Sequence, residues 1–362
     1  MTAGVVVLAG CAVGPNYRPP SAVTPDEWHA LPQGGVAPAA DPSVLAHWWK
    51  SLQDPALDEL IVKALAENKT AKQALARVRE ARARRGIAAG EFWPGIGASA
   101  GVSRTDSESR FSSVDDDVPS GGNNDEIYSS GLDSSWELDL FGGRRRAVES
   151  ATAQLAATEA DLRDVLVTLL GDVALGYVDV RTAQARLNFA ERNLQAQNGV
   201  LDITRWRADA GLATVLDVDQ AKTSYEQTRA AIPSLESSLV QAMNRLAVLT
   251  GEPPGALNAT LSDRKPVPAA PLEIAAGVPA DVLRRRPDIR SAERRLAAQT
   301  AQVGVATAAL YPSLSLNGSI TLQALSASDV LDGFRTERTG LSLNLPLFRG
   351  GALRQNVNAQ NA

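Results

Sequence analysis

The chain has 362 residues, a formal net charge of −5 and a pI near 5.3, so it offers no basic surface of the kind nucleic acid requires. Aromatic residues make up only 5%, low for a compact enzyme. No window of about 18 uncharged apolar residues exists, which excludes a membrane-spanning helix.

Residues 1–10 read as part of a signal peptide. An apolar run from Gly4 to Leu8 is followed by Ala9 and Gly10, directly before Cys11, the sole cysteine. That order resembles a bacterial lipobox, in which the cysteine is acylated, so Cys11 is the expected lipidation site. Ala12 rather than an aspartate after it suggests outer-membrane sorting. The basic segment that opens such peptides is missing, which points to a truncated or mis-assigned start. Residues 11–54 are rich in proline and glycine and carry Trp28, Trp48 and Trp49; they predict an extended arm laid on a surface.

Helical spacing begins after Pro55 with Leu57, Leu60, Ile61, Ala64 and Leu65, and first helices are expected over 55–92. At Pro94 the period changes from helical to two. Ile96, Ala98, Ala100 and Val102 alternate with Gly97, Ser99, Gly101 and Ser103, and alternation returns from Leu132 to Leu140. This predicts a β-hairpin over 95–141 whose connecting loop, 105–127, is polar and contains Asp115, Asp116 and Asp117. That acidic triplet reads as a solvated loop, not a metal site. A second hairpin is expected over 313–348, with its loop at 324–337. Each strand spans roughly 9–11 residues, the length that crosses a bilayer at a tilt.

The two hairpins belong to an internal duplication. Arg77 to Pro94 matches Arg295 to Pro312, and Leu138-Asp139-Leu140-Phe141-Gly142-Gly143 matches Leu345-Pro346-Leu347-Phe348 followed by Gly350-Gly351. The paired glycines Gly142, Gly143, Gly350 and Gly351 predict swivels from strand into helix. Between the copies, 143–250 predicts a long helical hairpin. From Arg144 to Ala210 no proline interrupts, which as a helix is about 100 Å. Leu166, Val173, Val180, Leu187, Leu194 and Leu201 recur as a heptad seam that wants partner helices. Gly211 ends this helix and Thr214 caps the next, with Asp217 in its first turn. The returning helix, to about Leu249, is roughly 54 Å and contains Pro233; stacked with the helix at 69–91, about 35 Å, it nearly matches the long one. Residues 251–287 predict an irregular equatorial region and 288–311 the second copy of the repeated helix.

Four strands cannot close a membrane barrel, and lipid forbids open edges. The chain is therefore expected to share a barrel with copies of itself: two copies give a filled interior and three, with twelve strands, leave a pore. The predicted class is an α+β membrane fold of long helical hairpins plus four transmembrane strands per protomer. On the polar face Asp133, Glu137 and Asp139 are candidate lumen charges that could bias a pore toward cations, or simply the wet face of a strand. Arg144, Arg145 and Arg146 open the long helix, where positive charge opposes the helix dipole; anionic lipid headgroups are one expected counter-charge. No P-loop, G-x-S-x-G or zinc spacing occurs, and His29 and His47 stand apart, so no catalytic site, metal or cofactor is expected beyond lipid on Cys11.

Pro279 to Arg290, continuing through Ala292-Glu293-Arg294-Arg295-Leu296 to Tyr311-Pro312-Ser313-Leu314, closely resembles the TolC superfamily, in its NodT or OprM-like lipoprotein branch. Arg207 to Thr214 with Leu216-Asp217-Val218 is similar to that family's periplasmic turn, and Gly14-Pro15-Asn16-Tyr17 after Cys11 also fits. The resemblance spans essentially the whole chain. It implies a homotrimer with a twelve-stranded outer-membrane barrel and a helical barrel crossing the periplasm. It also implies a passive exit duct for drugs or other toxic compounds, working with a periplasmic adaptor protein and an inner-membrane pump, often of the resistance-nodulation-division type. Gly211, Leu212, Ala213, Thr214, Leu216 and Asp217 then become the expected adaptor-docking turn. The sequence departs from the family by stopping at Ala362, a few residues into a second long helix begun at 349, so a truncated chain is expected and no aperture residues carry over. A lipid-anchored periplasmic adaptor or coiled-coil scaffold is the alternative. It explains the heptads and Cys11 but not four alternating strands.

Overall fold

The computed structural model describes residues 12–20, 46–106, 124–269 and 279–362. Cys11, His29, Trp28 and the Asp115–Asp117 triplet lie outside them. Among the described residues no helix is long and apolar enough to cross a membrane. The elements are α1 (Pro55–Glu67), α2 (Lys69–Gly90), β1 (Gly95–Asp106), β2 (Asn124–Leu138), α3 (Gly143–Asp209), α4 (Val215–Leu249), α5 (Pro279–Arg285), α6 (Pro287–Ala308), β3 (Ser313–Ala324), β4 (Phe334–Asn344) and α7 (Ala352–Asn361). They divide into two compact units.

The first unit, residues 21–79 and 158–291, is helical and has a conventional core. Asp54 caps α1 by accepting from the Ala56 N–H at 3.0 Å, and Pro55 occupies the first helical turn, where its missing N–H costs nothing. Leu57, Leu60, Ile61 and Ala64 of α1 pack with Leu169, Val173, Tyr177 and Val180 of α3 and with Ala242, Met243, Leu246 and Ala247 of α4. Each fully buried leucine or isoleucine there contributes about 1.5–3 kcal/mol. Leu257 and Leu261 complete this core from the segment after α4.

The break between α1 and α2 has a specific cause. Asn68 leaves helical geometry, accepts from the Ala71 N–H at 3.0 Å and donates to the Leu249 carbonyl at 2.9 Å. One buried amide thus starts α2 and satisfies the last turn of α4. Gly251, at φ +75°, follows; a Cβ there would lie 2.7 Å from the Glu67 carbonyl oxygen, so only glycine permits the approach.

The second unit, residues 1–20, 80–157 and 292–362, contains a four-stranded antiparallel sheet in the order β1-β2-β3-β4. The strands have 12, 15, 12 and 11 residues; β4 keeps to the expected 9–11, and the other three exceed it because their ladders continue past the apolar stretch into polar residues such as Arg104, Glu126 and Gln323. At the other end they stop sooner than the alternation does. β2 ends at Leu138, and the Leu140 N–H turns back to the Leu138 carbonyl at 2.9 Å. Leu345 and Leu347 likewise lie beyond β4.

Candidate functional site: a two-faced sheet and an exposed helical turn

The register aligns residue chemistry across all four strands. Ala98 pairs with Leu132, Leu132 with Ile320, Trp136 with Leu316, and Leu316 with Leu341. Because side chains alternate with period two, these rungs fall on one face. No described element covers that face: Ile96, Val102, Leu132, Leu341 and Leu343 are each more than half exposed. The opposite face is a polar ladder. Gly97 pairs with Asp133, Asp133 with Ser319 and Ser135 with Asn317. The Ser135 hydroxyl donates to Asn317 Oδ1 at 2.9 Å, and the Asn317 amide donates to the Ser342 hydroxyl at 3.2 Å. The outer edges of β1 and β4 have no neighbouring strand among the described residues.

Of the three acidic residues expected on the polar side, Asp133 stands in the ladder itself. Glu137, at the foot of β2, accepts from Arg144 at 2.8 Å. Asp139 lies past the strand and caps α3. Its carboxylate accepts from the Arg144 N–H at 3.0 Å, the Arg145 N–H at 3.1 Å and Arg145 Nε at 3.0 Å. A capping carboxylate at a helix N-terminus also offsets the dipole.

The arginine triplet, for which headgroups were one expected counter-charge, finds its partners within the chain. Arg144 pairs with Glu91 and Glu137, and Arg145 with Asp139. Arg146 is buried; it bonds Glu149 at 2.8 Å, the Val13 carbonyl at 3.2 Å, the Gly14 carbonyl at 3.3 Å and Asn16 Oδ1 at 2.7 Å. The run Gly14-Pro15-Asn16-Tyr17 therefore holds this guanidinium and, through Tyr17, donates to Glu293 at 3.1 Å.

Four glycines were expected to turn strand into helix. Gly142, Gly350 and Gly351 adopt left-handed backbone, at φ +80°, +57° and +80°, whereas Gly143 already belongs to α3. At Gly142 a Cβ would lie 2.6 Å from Ala12 Cα. Phe141, just before this bend, stacks on Tyr311 with ring centroids 4.7 Å apart.

In the helical unit, the turn between α3 and α4 is built by caps. Gly211 sits at φ +74°; its N–H bonds the Ala208 carbonyl at 2.9 Å and the Leu212 N–H bonds the Arg207 carbonyl at 2.7 Å. Thr214 and Asp217 form a reciprocal capping box, with bonds of 3.2 Å and 2.7 Å. The Thr214 backbone N–H, then its hydroxyl, holds the Asp217 carboxyl below the usual range. A turn this well tied nevertheless leaves Trp206, Leu212, Val215 and Leu216 largely exposed, an apolar patch at a helical tip.

Sequence reasoning missed one cluster. Tyr177, Arg181 and Gln184 are buried on the same side of α3 as Val173 and Val180. Tyr177 donates to Asp54, and Arg181 donates to the Tyr177 oxygen at 2.9 Å, to Gln184 at 2.8 Å and to the Asp263 carbonyl at 2.6 Å. Gln184 donates to the Leu261 carbonyl at 2.6 Å. Burial, then the bond to Asp54, pushes the Tyr177 hydroxyl up to about 12. The available signal was three polar residues at helical spacing inside an apolar seam.

Comparison with known proteins places this geometry. The sequence profile of the family described as "Outer membrane efflux protein" matches residues 60–252 and 278–362. The chain is 34% identical over 357 residues to Nodulation protein T of Rhizobium leguminosarum bv. trifolii, covering 98% of this chain and 73% of that one. It is 36% identical to the pyoverdine export outer membrane protein OpmQ of Pseudomonas aeruginosa, covering 96% and 72%. The structure of the outer-membrane channel OprN superposes with a TM-score of 0.84 at 36% identity, covering 97% of this chain and 77% of that one. These matches favour the channel reading of the heptads and strands over the adaptor.

Proposed function

The chain belongs to the outer membrane efflux protein family, and from that premise we propose that three copies form a passive duct whose twelve-stranded barrel crosses the outer membrane. The family is a transport family, not an enzyme family, and the energy for export comes from a pump in the inner membrane, with the resistance-nodulation-division type favoured. The single observation that carries the duct reading is the sheet: an apolar face in register across four strands, which no element covers and whose two edges no strand pairs among the described residues. Hydrocarbon is the solvent that suits such a face, and closure with further copies is what satisfies the edges. Three copies supply about twelve strands, enough to leave a lumen lined by the serine- and asparagine-rich face.

Other parts of the chain take roles within this duct. The turn from Gly211 to Asp217, with its exposed Leu212, Val215 and Leu216, docks the periplasmic adaptor. Cys11 carries the lipid. Glu137 and Asp139 are already engaged by arginines, so any cation bias of the lumen at this level rests mainly on Asp133. The test is made on the full-length protein extracted from outer membranes. It should run as a trimer that dissociates on heating and should open discrete conductances in planar bilayers. A water-soluble monomer without conductance contradicts the proposal.

A further inference from the structure

The duplication divides the sheet junctions into two kinds. Hairpins join β1 to β2 and β3 to β4, and β2 of the first repeat meets β3 of the second. We infer that the seam between copies repeats the β2–β3 junction, pairing the free edge of β4 with that of β1 of the next copy so that Leu345 faces Ile96, Leu343 faces Ala98, Leu341 faces Ala100 and Glu337 faces Arg104. This inference rests on the barrel reading and adds to it the register and the residues that set it.

The starting point is equivalence. Tyr311-Pro312 leads into β3 as Trp93-Pro94 leads into β1, and Phe348 follows β4 as Phe141 follows β2. Inside the chain Leu138 pairs with Leu314, and their counterparts are Leu345 and Ile96. Repeat symmetry alone leaves the register loose by two residues, because the hairpins themselves differ. Ile96 pairs with Ser134, seven before Phe141, whereas Leu314 pairs with Leu343, five before Phe348.

Charge removes that looseness. Arg104, Glu337 and Arg335 all occupy the apolar-face parity of their strands, beyond the last large aliphatic residues, and all are exposed. In the inferred register Glu337 stands opposite Arg104 of the next copy while keeping its in-chain pair with Arg335, and Arg104, which faces Glu126 across its own hairpin, then lies between two carboxylates, so that charges alternate along the rung. A slip of two residues one way sets Arg335 opposite Arg104, like charges face to face. A slip the other way sets Thr339 there and separates the ions. A slip of one turns the apolar row into the lumen. The inferred register also gives the stagger that closure needs: Ile96 leads through Ser134, Gly318 and Thr339 to Val102 of the next copy, still on the same face.

The aromatic residues agree with this. Phe141 stacks on Tyr311 within the chain, while their counterparts Phe348 and Trp93 are 87% and 76% exposed. The same junction, formed between copies, stacks Phe348 on Trp93 of the next copy.

Cysteine pairs in the full-length protein test the register, with Cys11 common to all variants and each single substitution as control. Directly opposite residues lie about 4.5–5.5 Å apart and diagonal ones about 7–8 Å. Oxidation should therefore link R104C with E337C into covalent trimers at about tenfold the yield of R104C with R335C or R104C with T339C. Equal or greater yield from either slipped pair, or no linkage from any pair in a preparation that still forms heat-dissociable trimers, overturns the register while leaving the barrel standing. Loss of trimers in the single-cysteine controls and the unaltered protein alike overturns both. As a second reading, W93A, F348A and the double variant should lower the temperature of trimer dissociation by the same amount; additive losses mark two independent interfacial aromatics and remove the stack.

Discussion

In the helical unit Leu57, Val173 and Leu246 are sealed from solvent, whereas in the sheet Leu132, Leu341 and Leu343 stand more than half exposed. The residue types are alike and the burial is opposite. Polar groups show the same inversion: the helical unit buries Arg181 and Gln184 with every bond made, while the sheet sets its serines and asparagine in an open ladder. The helical unit seals a core within the chain, although Val167, Leu175 and Phe189 of α3 stay more than half exposed. The strands of the sheet bury no large apolar side chain among the described residues, and in the proposed duct lipid covers one face and further copies cover the edges.

The largest effect that can break this comparison lies at Arg181. Arg181→Ala removes the donor to the Tyr177 oxygen, Gln184 Oε1 and the Asp263 carbonyl and empties a fully buried site, which should cost about 3–5 kcal/mol, read as a lower denaturant midpoint for loss of helical signal. Next is Leu132→Arg. If its face meets hydrocarbon, the cost is about 2–4 kcal/mol near the bilayer centre and assembled trimers are lost, while Ser319→Arg on the opposite face leaves assembly intact. Equal tolerance at both sites would remove the distinction between the faces. Thr214→Ala, which deletes one arm of the capping box, should cost about 1 kcal/mol and loosen the helical tip without affecting trimers; amide exchange near 214–218 reads it.

The pH effects are confined to the extremes of pH. The Tyr177 hydroxyl is raised from 10.0 to about 12, so the stability its protonated form supplies is complete below pH 10 and is lost as pH rises through about 12. Tyr177→Phe should abolish that alkaline slope. Asp217 runs the other way: its lowered carboxyl supplies stability above the usual carboxylate range that is lost as pH falls through the lowered value. Amide exchange at the tip should therefore rise in acid, and less so in Thr214→Ala.

Local signals made much of this fold readable in advance. The change from helical to period-two spacing at Pro94 and Pro312 marks the strands, and Gly211 with Thr214 and Asp217 marks the turn, because each depends only on neighbours in sequence. What escaped depends on distant partners. The arginine triplet is explained by Glu91, Glu137, Asp139 and the backbone of Val13 and Gly14, none of which spacing could nominate. Asp139 reads as one more polar residue of a strand until the helix after it is seen to need a cap. Helix α5 lies in a stretch expected to be irregular, since seven residues are too few for a period to emerge. The two-residue difference between the hairpins is likewise invisible in the repeat, because register is decided by pairing and not by the strand alone.

The proposed duct requires that hydrocarbon touch the apolar face. Spin labels placed singly at Ile320 and Ser319, neighbours in one strand, measure it directly in the full-length protein reconstituted into bilayers. The label at 320 should be relaxed by oxygen dissolved in the membrane and that at 319 by a water-soluble nickel complex. Relaxation of the 320 label by the nickel complex, with oxygen ineffective, would contradict the account.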